Sequence, residues 1–278
     1  MTKVAVLMTC YNRVGTTLEC LKRLFSQEMP TGFSFDVWLV DDASPDKTGE
    51  KVGLAYPSVN VIQGNGKLFW SKGMRLAWDK AADAYDYDYY LWLNDDVMLV
   101  DQHIFSSIIE DIVFLEKNET GDYVLVGTCA SDNTLQELVY GCYRSVEVLR
   151  PNDRPQLADS YMMSGNIVIV PKCVYRRIGP IYNGYSHAYG DGDYRQLLLK
   201  NHIGLYCASK VCGVCPKEPE RYIRLKGKGL FKRINILFMA KGLPLRDTFI
   251  YRYRHWGLMR ALLSVCHVIF KALFEDWR

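Results

Sequence analysis

Short apolar runs alternate with amphipathic stretches along the first two-thirds of the chain. Residues 3–9, with Val-Ala-Val-Leu-Met at their centre, read as a central strand. Thr16 or Thr17 then caps a helix whose Leu18, Leu21, Leu24 and Phe25 recur at helical spacing. Residues 35–40 form a second strand and 59–63 a short third. A helical pattern follows Gly73 and runs to Ala84, and the run Tyr89-Tyr90-Leu91-Trp92-Leu93-Asn94 is a buried strand. A helix over about 102–118 and a strand over 123–129 continue the alternation, which predicts a mostly parallel α/β sheet. Beyond it, 135–143 is extended and 150–155 is a polar loop. Residues 161–170 read as one strand kinked at Gly165 and stopped by Pro171. Residues 172–178 make a short helix, and a last helix opens near Asp191 and runs to about Asn201.

Two of these strands end on paired carboxylates, Asp41-Asp42 and, after Asn94, Asp95-Asp96. An apolar strand has no reason to end so unless its tip is wet or metal-bound, because an unpaired buried carboxylate is costly. In open α/β sheets, ligands sit outside the carboxyl ends of the strands. One such tip is equally well read as a helix cap; two at like positions suggest a common ligand. The segment Gly64-Asn65-Gly66 through Trp70-Ser71-Lys72-Gly73 lets backbone approach a ligand and precedes a helix N-terminus suited to anions. It is neither a P-loop nor a dinucleotide fingerprint. Asp191 and Asp193 open their helix and could serve as caps, and His187 is read as an ordinary loop or core histidine.

Composition narrows the picture little. The 278 residues are 49% hydrophobic with a formal charge of +3, enough for a full core and too mild a charge to imply nucleic acid. Nine cysteines show no paired framework, and Cys212-Gly-Val-Cys215 lacks the second pair of a zinc site, so buried thiols are expected. Met1-Thr2-Lys3 runs directly into a strand, so a cytoplasmic location is expected. No apolar run is read as reaching the roughly 18 residues that span a bilayer. From Arg221 the chain turns basic and then alternates basic with apolar residues. A tail helix after Arg254 could lie on an anionic membrane, at the inner face of the plasma membrane, or pack on the domain with a solvated basic face.

Taken in order, these motifs resemble glycosyltransferase family 2, inverting nucleotide-sugar enzymes of the GT-A (Rossmann-like) fold. The likeness covers about 1–210. The resemblance implies a GT-A domain over 1–215, with a nucleotide-binding half (1–100) and an acceptor half (101–215), followed by a basic helical extension over 216–278. Thr9-Cys10-Tyr11-Asn12-Arg13 is similar to the first nucleotide-side loop, with Thr9, Tyr11, Asn12 and Arg13 as binding residues. Asp41 and Asp42 match the segment that holds base or ribose, and Asn65, Gly66, Trp70 and Gly73 the donor segment. Asn94-Asp95-Asp96 stands at the DxD motif, with Asp96 as the Mg²⁺ or Mn²⁺ ligand. Ser164, Gly165 and Asn166 match a small-residue segment beside sugar and acceptor. In Gly190-Asp191-Gly192-Asp193, Asp191 matches the catalytic base and Asp193 a binding position. Leu68-Phe69-Trp70 and Leu93 to Asp96 are similar to bacterial, rhamnosyltransferase-like members that build surface polysaccharides.

Three departures stand out. Asn94 replaces the first Asp of DxD, Gly190 replaces a Glu, and 211–214 carries no His where many members have one. The reaction implied is a single in-line displacement, with Asp191 taking the proton of an acceptor hydroxyl and a cation on Asp96 offsetting diphosphate charge. The partners implied are a nucleotide-diphosphate sugar and a saccharide or lipid-linked saccharide. On charge alone, Arg221 and Arg224 could clamp phosphate or a lipid-diphosphate acceptor. Two alternatives stand beside this: a non-catalytic nucleotide-sugar-binding protein, which Asn94 and Gly190 allow and Asp96 and Asp191 argue against, and a nucleotidyltransferase, which also uses a strand-tip carboxylate and Mg²⁺ on an α/β sheet. A nucleotidyltransferase would normally carry a glycine-rich loop after the first strand, which Tyr11-Asn12-Arg13-Val14 is not.

Overall fold

The computed structural model describes residues 1–118, 121–217 and 225–274. Its elements, in chain order, are β1 (Thr2–Cys10), α1 (Val14–Phe25), β2 (Phe33–Asp41), α2 (Thr48–Ala55), β3 (Asn60–Gln63), α3 (Phe69–Ala84), β4 (Tyr89–Leu93) and β5 (Met98–Leu99). There follow α4 (Ile104–Asn118), β6 (Tyr123–Ala130), β7 (Leu138–Tyr140), β8 (Cys142–Arg144), β9 (Glu147–Val148), β10 (Gln156–Leu157), β11 (Met162–Met163) and β12 (Ile167–Pro171). The last are α5 (Lys172–Ile178), α6 (Gly190–Lys200), β13 (Gly204–Val214), α7 (Leu230–Ile236) and α8 (Leu245–Phe274).

The main sheet runs β10-β13-β6-β12-β4-β1-β2-β3. Strands β3, β2, β1 and β4 are mutually parallel, and β13 is parallel to β6. Only β12 among the central strands runs the other way, antiparallel to both β4 and β6. The sheet is therefore mainly parallel, as the alternation predicts. Its strands are apolar on both faces because both are covered. Val6, Met8, Leu39 and Leu91 point into one core with α1 and α4, while Leu7, Val40, Tyr90 and Trp92 point into the other with α3 and α6.

Four sequence expectations need correction. Residues 161–170 are not one kinked strand: Ser164-Gly165-Asn166 separates β11, in a small three-stranded sheet, from β12 in the main sheet. The extended 135–143 segment is likewise broken, at Gly141 with φ 144°, between β7 and β8. Helix α3 starts at Phe69, so Gly73 lies inside it, where a Cβ would fall on the Thr9 side chain. Finally, α8 is long and apolar enough to cross a membrane by length and composition, because the apolar pattern continues through its few charges. At Gly257 (φ 79°) its backbone leaves helical geometry, dividing it into two parts.

Candidate active site

The parallel strands deliver their C-terminal ends to one edge. There β1 ends at Thr9 and Cys10, and the chain leaves β4 through Asn94, Asp95 and Asp96. The β1–α1 turn, with Asn12 at φ 53°, is fastened to the loop after β2: the Asn12 N–H donates to Ser44 Oγ (2.9 Å) and the Val14 N–H to Asp46 Oδ2 (2.9 Å). This turn aims Arg13 at the carboxylate pair. Its Nη1 donates to Asp96 Oδ2 at 2.6 Å, and its Nε lies 3.4 Å from Asp95 Oδ2. Asp95 is 2% exposed and also accepts from Thr17 Oγ1 (2.9 Å). Burial pushes its carboxyl up to about 7; Arg13 and Thr17 hold it down, and Asp96 adds to the push. Asp96 is the more open of the two carboxylates.

The β2 tip has a different task. Asp41 turns away from the cleft and accepts from the N–H groups of Ser44 (3.1 Å) and Gly49 (3.0 Å), the latter in the first turn of α2. Asp42 lines the cleft, but its oxygens accept from Gly66, Leu68 and Phe69 N–H at 2.8, 2.9 and 2.9 Å. These three bonds hold the glycine-rich segment and the start of α3, where Phe69 adopts φ 54°. Asp42 thus acts first as a cap bridging loop and helix.

Trp70, one residue into α3, forms a wall of the cleft. Its indole Nε1 donates to Asn94 Oδ1 at 2.7 Å, which gives the asparagine of the Asn-Asp-Asp motif a specific task. Two glycines leave room for the ring. A Cβ on Gly165 would lie 2.6 Å from Trp70, and one on Gly190 would lie 2.9 Å from Trp70 and 2.7 Å from Ser71 Oγ. Asp191 follows at the N-terminus of α6, where its Oδ1 accepts the Gly192 N–H (2.7 Å).

Asp193 points elsewhere. It is wholly buried and accepts from Tyr185 Oη (2.7 Å) and Arg254 Nε (3.0 Å), with His255 Nε2 at 2.7 Å. Burial raises its carboxyl, yet the hydrogen bonds from His255, Arg254 and Tyr185 outweigh that and hold it below the ordinary value. Its partners on α8 make it a tie between α6 and the C-terminal helix. Asp247 makes a second tie, accepting the Ser186 N–H at 2.8 Å.

One cleft of about 600 Å³ brings together Thr9, Tyr11, Arg13, Asp42, Gly66, Trp70, Asn94, Asp95, Asp96, Ser164, Gly165, Asn166 and Asp191. Asn12, Asp41, Asn65, Gly73 and Asp193 are not among its lining residues. His187 does line it, as do Tyr140, Tyr189, Cys215 and the segment Ala240-Lys241-Gly242, none of which sequence reasoning placed there. Tyr189 had a local signal, being adjacent to the Gly-Asp-Gly-Asp run. The 240–242 segment had none, since it arrives from the C-terminal extension. Arg221 and Arg224 lie outside the described residues. Cys212 and Cys215 are buried thiols, and burial pushes Cys212 up to about 12. Among the described residues no three His, Cys, Asp or Glu side chains gather as a metal cluster.

Residues 5–112 match the family model described as Glycosyl transferase family 2. The match starts in β1, ends inside α4 and takes in both carboxylate tips. Among solved structures, S. aureus TarS 1–349 is similar with a TM-score of 0.57 and 14% identity, over 99% of this chain and 81% of that one. The same protein in complex with UDP-GlcNAc gives 0.57 and 15%, over 98% and 82%. The mannosyltransferase PcManGT from Pyrobaculum calidifontis, in complex with GDP-Man and Mn²⁺, gives 0.55 and 14%, over 97% and 74%. At these identities the likeness is one of fold: a GT-A-like α/β architecture with a C-terminal helix. No curated protein matches the sequence.

Proposed function

We propose that this chain is an inverting glycosyltransferase, moving a sugar from a nucleotide-diphosphate sugar to an acceptor hydroxyl. The observation that carries this reading is one cleft lined at the β4 tip by Asp95 and Asp96, which lie inside the family match over 5–112, and at the α6 start by Asp191, which lies beyond it. Solved relatives of this fold hold UDP-GlcNAc or GDP-Man. Their sugars and bases are not carried over to this chain.

In this mechanism Thr9, Tyr11 and Arg13 receive the nucleotide diphosphate beside the strand tips. Trp70, held by Asn94, presents a flat apolar wall for the sugar. Asp191 accepts the proton of the acceptor hydroxyl as that oxygen attacks the anomeric carbon, and attack opposite the leaving diphosphate inverts that carbon. The donor set suits Mg²⁺ or Mn²⁺ with most of its ligands from outside the protein. Asp96 is the more open carboxylate, with Oδ2 on Arg13 at 2.6 Å, while Asp95 is buried against Thr17 and the Asn94 oxygen is engaged by Trp70. Such cations are commonly held by one or two carboxylates plus substrate phosphates. Asp96 would hold the ion, which supplies positive charge against the developing diphosphate. The resemblance of Leu68-Phe69-Trp70 to rhamnosyltransferase-like bacterial members supports a role in cell-surface polysaccharide synthesis.

Titration of UDP-, dTDP- and GDP-sugars with and without Mn²⁺ tests the reading. One donor should bind in a metal-dependent way, and Asp96→Ala should lose that dependence. Asp191→Asn should keep donor binding and lower transfer by about 10² to 10⁴. Diphosphate release from a nucleoside triphosphate would instead make the protein a nucleotidyltransferase. Donor binding without transfer to any acceptor would leave it a non-catalytic binder.

A further inference from the structure

The C-terminal extension carries an apolar surface that is left exposed among the described residues. After Gly257 the second part of α8 carries three parallel stripes. Ala261, Val268 and Ala272 are buried, the latter two in a cluster with Ile236 and Leu237 of the α7 end and with Leu243. One residue earlier in each case, Arg260, His267 and Lys271 form a basic stripe. Met259, Leu263, Phe270 and Phe274 form a third stripe, roughly opposite the buried one at about 3.6 residues per turn. Each is more than half exposed. The turn after α7 adds Phe238 and Met239, exposed by 75% and 55%. They lead directly into Ala240-Lys241-Gly242, which line the cleft.

Charge selects among possible occupants. Residues 225–274 contain ten Lys and Arg and a single acid, Asp247, which is buried. A second copy on this face would bring basic stripes together and be repelled. A transmembrane placement would carry Arg260, His267 and Lys271 into hydrocarbon, at a cost of a few kcal/mol for each charged residue. It would also strip the buried stripe from α7. An anionic bilayer surface fits all three stripes at once: apolar side chains enter the interfacial layer, basic ones meet the headgroups, and the buried face stays on the protein.

We propose that the α7–α8 hairpin is a docking surface for anionic membrane, lying in the interface and bringing the Ala240–Gly242 side of the cleft to the headgroup layer. The docking is independent of the transferase reading. Only its consequence rests on that reading: the acceptor reaches the cleft from the headgroup layer, as a hydroxyl carried on a lipid.

Sedimentation of the full chain with phosphatidylcholine vesicles, alone or with about one-third phosphatidylglycerol, tests the surface. Binding should need the anionic lipid and should weaken as salt rises from about 0.1 M to about 1 M, where the screening length falls from ~10 Å to ~3 Å. The pair Leu263→Glu and Phe270→Glu removes two inserting side chains, and vesicle affinity should fall about tenfold or more. Arg260→Gln with Lys271→Gln should reduce affinity on anionic vesicles while sparing the fold. Circular dichroism and nucleotide-sugar binding report separately on folding and on the transferase reading. Several results would overturn the docking: equal binding to neutral vesicles, no vesicle binding by the folded wild type, a stable dimer dispersed by the Glu substitutions, or resistance to alkaline extraction, which marks a spanning helix.

Discussion

At the scale of single residues, Asp42 separates two readings that sequence alone merges. A strand-tip carboxylate in this fold is expected to hold base or ribose, yet Asp42 accepts from three backbone N–H groups at the entry to α3. Removing an acceptor from partly buried donors costs about 1–3 kcal/mol, more where the acceptor is charged. Asp42→Ala should therefore destabilise the protein by about 2–4 kcal/mol in urea unfolding, because several bonds are lost together. Donor affinity should drop as a consequence of the loosened loop. If stability is unchanged and only donor affinity falls, Asp42 reads the nucleotide directly. Asn94 offers a similar lesson. As a departure from Asp it looks like a lost metal ligand, and in the fold it is the acceptor for the Trp70 indole. The side chain was legible in the sequence; its partner, 24 residues away, was not.

At the scale of elements, the strands of the first half of the chain were legible because burial on both faces makes them continuous apolar runs. β4 is buried throughout. Less legible was the start of α3, set by Asp42 from another strand rather than by a local cap. The break between β11 and β12 was hidden for a related reason, since the two halves belong to different sheets and only tertiary pairing tells them apart. The α3–α6 junction accounts for Gly190, where the resemblance implies a Glu. Gly190 stands where a Glu is usual because Trp70 and Ser71 occupy the space of its side chain. Gly190→Ala should cost about 1–3 kcal/mol through overpacking, measured by denaturant unfolding. Gly190→Glu should cost more and lower transfer, since it displaces Trp70 beside Asp191. A Gly190→Glu protein with wild-type stability and transfer would show that this packing is soft.

At the scale of the whole molecule, the basic C-terminal extension is packed onto the α6 end of the chain's main α/β body. The first part of α8 is joined to α6 by Asp193 with Arg254 and His255, and to the loop before it by Asp247 and by the stacking of Tyr251 on Tyr189 at 4.7 Å. The charged residues of α8 were visible in the sequence as a basic tail. Their acidic partner is Asp193, and no local pattern in the sequence shows which way a buried carboxylate faces. The Asp193 tie predicts a pH dependence of stability with a definite sign. Its folded-state carboxyl lies below its unfolded value, so its stabilisation is present above the unfolded pKa, about 3.9, and is lost as pH falls through the folded value. Asp193→Asn removes the charge while keeping the shape. At neutral pH it should cost about 3–5 kcal/mol, the scale for breaking a buried ion pair. The gap between variant and wild type should then begin to narrow below about pH 4, where the unfolded-state carboxyl takes up a proton, and finish closing below the lower folded value. Unfolding at a series of pH values measures this directly. A gap independent of pH down to strong acid would mean that Asp193 holds α8 through its hydrogen-bonding shape rather than its charge. In either case α8 supports the start of α6, so the extension that presents the basic surface also steadies the helix that carries Asp191.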